Sequence, residues 1–230
     1  NAALTTVRRG TINNHRIFTI KAPYTVEMNG IRCENGDPGG SNQGGGIFND
    51  GATLVLNNCV ITDNFSGAAA GGHGGGLAQS SGTLTINNST IKNNDSGNNG
   101  QGGGIYIADG TVSLFNCTVQ NNSTGGNNAG AIMVDGSSIL NLTNCTVIQN
   151  YSANNTGFSS GGVFYAFNAI LNMRNTILAN NNSVGVPNGD LNSFAPSYVG
   201  INDQNIVMEC AGAFCPGFSS TTDPLLSGVS

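Results

Sequence analysis

The chain has 230 residues, of which only 8% are charged against about 25% in an average domain, while glycine, at 35 residues, is about twice as frequent as usual. A net charge of −5, with Arg8-Arg9 as the densest basic stretch, leaves no cationic stripe for nucleic acid, and no apolar run approaches the roughly 18 residues of a membrane span. Hydrophobic residues make up 38% and are regularly placed, which argues against disorder.

In chain order, the first residues, Asn1 to Val7, read as the middle of a strand pattern with no signal peptide, so the chain is expected to be cut from a longer precursor. Residues 3–9 look like the tail of a coil. A degenerate repeat follows at Ile17–Ile20 and Val26–Cys33. Five clear copies then start at Leu54, Leu84, Val112, Leu140 and Leu171, spaced by 30, 28, 28 and 31 residues. Each reads approximately Leu-x-Leu-x-Asn, then a small residue, then alternating apolar positions up to a second Asn. A glycine knot and an apolar residue precede each copy. The knots are Gly44–Gly46 before Ile47, Gly74–Gly76 before Leu77, Gly102–Gly104 before Ile105, Ala129–Ala131 before Ile132, and Gly161-Gly162 before Val163.

Within a copy the apolar residues alternate, as do Leu54 and Leu56 or Cys59 and Ile61, which is strand period. About three short strands per unit cannot bury an apolar face alone, but stacked units can. The variation in unit length falls between the last Asn and the next knot, as at 65–73 and 151–160. A solenoid tolerates this and a propeller does not. The expected fold is therefore all-β, a right-handed parallel β-helix (β-solenoid) of about seven coils, roughly 35 Å long at the strand spacing. It occupies residues 1–185, and an irregular capping region at 186–230 packs on it. The variable loops lie on one edge. The interior is expected to be Leu56, Ile61, Ile86, Ile91, Leu114, Val119, Leu142, Val147, Met173 and Leu178.

Asn58, Asn88, Asn116, Asn144 and Asn175 stand between two inward residues, where the strand must bend. Asn tolerates the left-handed backbone such a bend needs, and its amide can stack along the axis. Asn64, Asn94, Asn122, Asn150 and Asn181 are expected to form a second such column. Both columns are read as structural. Cys59, Cys117 and Cys145 share one inward column, with Cys33 aligned upstream. Parallel in-register stacking disfavours disulfides between them, so buried free thiols are expected. Cys210 and Cys215 lie outside the repeat and are expected to close a small disulfide loop. His15 and His73, the only histidines, lack metal-ligand spacing to a cysteine pair, so neither metal nor cofactor is expected.

The glycine knot with Ile and an aromatic, followed by Leu-x-Leu-x-Asn-[Cys/Ser/Thr]-Thr-[Ile/Val]-x-x-Asn, resembles the right-handed β-helix repeats of large bacterial extracellular proteins over residues 15–185. It is similar to the polymorphic outer-membrane protein repeats of chlamydiae. It is closer to the choice-of-anchor Q type, through Asn175–Asn180, Pro187-Asn-Gly-Asp-Leu191 and Thr222-Asp-Pro-Leu-Leu226. The resemblance implies a secreted or cell-surface protein and supplies no catalytic residue.

Three functions follow as expectations. Structural or adhesive work comes first, with the chain itself (end to end or laterally), glycans or cell-surface components as partners. A glycan-cleaving or polysaccharide-binding site is the alternative. Cleavage needs clustered carboxylates, and the outward files Val55/Thr85/Ser113/Asn141/Asn172, Val60/Thr90/Thr118/Thr146/Ile177 and Thr62/Lys92/Gln120/Ile148/Ala179 carry none. Asp63, Asp95, Asp109 and Asp135 are isolated near turns. Arg8, Arg16, Lys21 and Arg32 are the basic candidates for an anionic sugar, and read more simply as a solvated face. Ice binding is third, on Thr53, Thr83, Thr85 and Thr111. The Asn-x-Ser/Thr sequons, several of them in the stacked columns, read as by-products of the repeat.

Overall fold

The computed structural model describes residues 4–10, 13–40, 42–67, 71–126, 128–153, 159–184, 189–193, 198–207 and 210–212. These contain strands and turns and no helix. β1 (Thr5–Arg8) opens the stack, and the first full turn is β2 (Phe18–Lys21), β3 (Thr25–Asn29) and β4 (Ile31–Glu34). In the next two turns the first two strands merge, giving β5 (Ile47–Asn57) with β6 (Val60–Thr62), and β7 (Leu77–Asn87) with β8 (Thr90–Lys92). The fourth turn is β9 (Ile105–Ile107), β10 (Thr111–Phe115), β11 (Thr118–Gln120) and β12 (Ser123–Thr124). The fifth is β13 (Ile132–Val134), β14 (Ile139–Thr143), β15 (Thr146–Ile148) and β16 (Tyr151–Ser152). The sixth is β17 (Val163–Tyr165), β18 (Ile170–Arg174), β19 (Ile177–Ala179) and β20 (Asn182–Ser183). A looser set follows: β21 (Leu191–Ser193), β22 (Tyr198–Asp203), β23 (Ile206–Val207) and β24 (Cys210–Gly212).

All strand pairs are parallel and join coil to coil, forming a thirteen-stranded, an eight-stranded and a three-stranded sheet around one interior. The molecule is thus a right-handed parallel β-solenoid, with six regular turns where the repeat count suggested about seven. Pairing continues past residue 185, because β21 to β24 stack on β17, β18, β19 and β21 in turn. A bulge in β22 skips Gly200, so Leu171 faces Val199 while Asn172 faces Ile201. Residues 213–230 of the expected cap, and with them Cys215 and its expected bridge to Cys210, lie outside the described residues.

Alternation decides the core. Leu56, Ile61, Ile86, Ile91, Leu114, Val119, Leu142, Val147, Met173 and Leu178 are all buried, and Cys33, Cys59, Cys117 and Cys145 are buried free thiols among them. Burial pushes the Cys33 thiol up to about 12, so it stays protonated and packs as a small apolar group. Each coil bends where Asn58, Asn88, Asn116, Asn144 and Asn175 take φ of 48° to 54°. At the second bend the left-handed residues are Asp63, Asn93, Asn121, Gln149 and Asn180, one position earlier than the Asn64 column expected there. That column instead points inward and is buried. The knot has one indispensable member. A Cβ on Gly75 would meet backbone atoms of Asp95 and Gly103 at 2.4–2.5 Å, and its equivalent is glycine in every knot, whereas the flanking positions accept Ala129, Ala131 and Ser160.

One feature departs from simple alternation. The residues after the first apolar position of each turn, Ala78, Tyr106, Met133 and Phe164, should face solvent, yet they form a second buried cluster outside the solenoid wall. The His73 ring stacks on Tyr106 at 4.6 Å between centroids, and Ala129 joins the cluster.

Candidate functional site

The outer side of the middle strands carries three files of side chains held in register by parallel pairing. The first is Thr25, Thr53, Thr83, Thr111, Ile139 and Ile170; the second is Glu27, Val55, Thr85, Ser113, Asn141 and Asn172; the third is Asn29, Asn57, Asn87, Phe115, Thr143 and Arg174. The upstream part of the third file is an amide ladder. Asn87 Nδ2 donates to Asn57 Oδ1 at 2.8 Å, and Asn57 Nδ2 to Asn29 Oδ1 at 2.9 Å and to Glu27 Oε1 at 2.8 Å. Phe115 interrupts that ladder and stands 42% exposed, which makes it the one aromatic ring in an otherwise polar file.

Around it lies a shallow open groove of about 210 Å³, lined by Ser113, Phe115, Asn141, Thr143, Asn172 and Arg174 with the strand backbone at Leu142 and Met173. Asn172 Nδ2 donates to Asn141 Oδ1 at 2.8 Å, and Asn141 Nδ2 donates to Ser113 Oγ at 2.9 Å. Among the described residues Arg174 is the only charged side chain in the lining, and its Nε sits 3.5 Å from Asp203 Oδ2 on β22. Gly200, skipped by the pairing, leaves room there for the Asn172 amide, since a Cβ would lie 2.3 Å from its Oδ1.

The basic candidates are placed elsewhere and do not converge. Arg8 and Arg32 lie on the eight-stranded sheet, where Arg32 pairs with Glu34 and with Asp63 at 3.7 Å. Arg16 precedes β2, donates to the carbonyls of Gln43 and Gly44, and covers the Phe48 ring at 4.9 Å. Burial lowers its pKa, partly offset by Asp50. Lys21 ends β2, exposed. A separate charged cleft of about 230 Å³ lies at the second bend of the first turns, lined by Arg9, Asn35, Asp37, Asp63 and Phe65 among others, with Arg9 3.8 Å from Asp37.

Among the described residues no group of three or more His, Cys, Asp or Glu side chains is placed to hold a metal ion. The Thr file is in register over four turns, but the neighbouring file doubles it with Thr only at Thr85. The groove itself was not singled out from the sequence. Its available signal was Phe115, which breaks the polar character of the position just before the bend Asn. Comparison with protein-family models, with curated proteins and with solved structures finds no match in any of the three.

Proposed function

We propose that this protein is an extracellular or cell-surface structural and adhesive module, a stiff β-solenoid that attaches through the outer face of its middle strands. The observation that carries the reading is the groove at Phe115, an exposed ring among hydroxyls, amides and one arginine paired with Asp203. Exposed aromatic and polar groups on a rigid sheet suit recognition better than reaction. The motif resemblance to bacterial extracellular β-helix repeats supports the location. Most carboxylates with defined partners are engaged in structure: Glu27 accepts from Asn57, Asp95 from Gly97, and Asp190 from Asn181.

A second reading, glycan cleavage, draws on the Asp37/Asp63 cleft, where two carboxylates and Arg9 line one concavity. One experiment separates the two. The purified chain is incubated with bacterial envelope and with soluble polysaccharides, and both retention and newly formed chain ends are measured. Retention without new ends is expected. New ends that vanish in Asp37→Asn or Asp63→Asn would replace adhesion with catalysis.

End-to-end assembly ranks behind attachment. β2 and β3 pair only with β5 among the described residues, and Lys21, Pro23 and Glu27 lie along these strands. Charges and a residue without an N–H oppose strand addition. A single, slowly sedimenting monomer is expected in sedimentation velocity.

A further inference from the structure

We propose that the groove at Phe115 binds an uncharged linear glycan, laid along the solenoid axis and across the strands. This rests on the reading of that face as the attachment surface and names its ligand.

The argument starts from hydrogen-bond valence. An Asn amide has two N–H donors and two acceptor lone pairs. Asn141 uses one donor on Ser113 and one lone pair on Asn172, so one of each remains for the outside. Asn172 likewise uses one donor on Asn141, and the Ser113 hydroxyl, having accepted from Asn141, keeps its proton to give. Donors and acceptors therefore recur at the spacing of adjacent strands, about 4.8 Å. That is close to the advance per residue of an extended sugar chain, whose hydroxyls each donate and accept. The exposed Phe115 ring supplies the apolar surface on which the C–H face of a sugar ring rests.

Charge selects the class. The one cation among the described lining residues faces Asp203, and the chain as a whole carries −5, so a polyanion meets no free positive group among them and an unfavourable net field. The shape agrees. The groove is too shallow to enclose a small molecule, and its lining spans three successive turns, as a chain ligand requires.

The test is calorimetric titration of the full chain with β-1,4-linked glucose, xylose and mannose oligomers, and with oligouronates, at low and high salt. One neutral series should bind, with affinity rising from dimer to tetramer and unchanged by salt. Phe115→Ala and Asn141→Ala should each weaken it by about tenfold, while Phe115→Tyr restores it and Thr118→Ala, on another sheet, leaves it intact. Thermal unfolding of every variant guards against loss through misfolding. Binding confined to uronates and weakened by salt, or unaffected by Phe115→Ala, would overturn the ligand assignment. If no oligomer binds but the protein is still retained on envelope, the ligand assignment fails and the adhesive reading survives. Failure of both assays removes both.

Discussion

Two columns of asparagine run the length of this molecule, and they do different work with the same side chain. The column at Asn64, Asn94, Asn122, Asn150 and Asn181 is buried. In each of its first four members the Nδ2 donates to the Oδ1 of the next turn at 2.8–2.9 Å and to a carbonyl of the preceding turn at 3.0–3.2 Å. That Oδ1 also accepts the backbone N–H of the turn before. From Asn94 to Asn181 every valence is filled, as burial demands. The column at Asn58, Asn88, Asn116, Asn144 and Asn175 is exposed and holds the left-handed bend. Its amides bond only in part, Asn116 to Asn88 and Asn175 to Asn144, both at 2.8 Å, and they point the opposite way along the axis. Burial, rather than residue type, decides whether an Asn column is a framework or a bend former.

The sharpest way to break the comparison is Asn122→Ala. It strands the donors of Asn94 and the acceptors of Ile91 and Asn150 in a dry interior. At roughly 1–3 kcal/mol per buried unsatisfied group, a loss on the order of 5 kcal/mol is expected in urea unfolding. Next comes Asp190→Asn, which removes the charge that receives both N–H groups of Asn181 at 2.7–2.8 Å and should cost about 1–3 kcal/mol. Asn116→Ala, in the exposed column, should cost only about 1 kcal/mol, the penalty for Ala in the left-handed region. Asn116→Gly should be close to neutral in the same assay. If Asn116→Ala proved as damaging as Asn122→Ala, the distinction between the columns would collapse.

The smallest effect concerns the outer cluster. Burial lowers the His73 pKa, with the Asp135 charge opposing it. A base depressed in the folded state is protonated first in the unfolded chain. Stability from this source is therefore complete above the ordinary histidine value of about 6.5 and declines as pH falls toward the depressed value. The urea midpoint should fall between pH 7.5 and 5.5 by less in His73→Gln than in the parent chain.

Much of this architecture is legible in the sequence because a solenoid writes one strand pattern several times. Leu56, Ile86, Leu114, Leu142 and Met173 sit two residues before a bend Asn, and alternation alone places them inside. Three things were not legible. The second bend falls on Asp63 and Gln149 as readily as on Asn, so residue type pointed to the more regular Asn column one position later. The outer cluster was masked because alternation assigns Tyr106, Met133 and Phe164 to solvent. The overlooked signal was three consecutive apolar residues, as in Ile132-Met133-Val134, the mark of a strand covered on both faces. Phe115 escaped notice for the opposite reason, because a single exposed aromatic carries no periodicity.

Among the described residues the buried column runs as far as Asp190, reached only nine residues after Asn181 instead of a full turn later. Asn both receives and gives, so any turn carrying it hands the pattern on. A carboxylate only receives, so it can stand last and nowhere else in the row. The column therefore has a grammar in which Asn means continue and Asp means stop. Turns can be duplicated or deleted upstream of Asp190 without rewriting its terminus, which gives a repeat protein of this kind a simple route to changing its length.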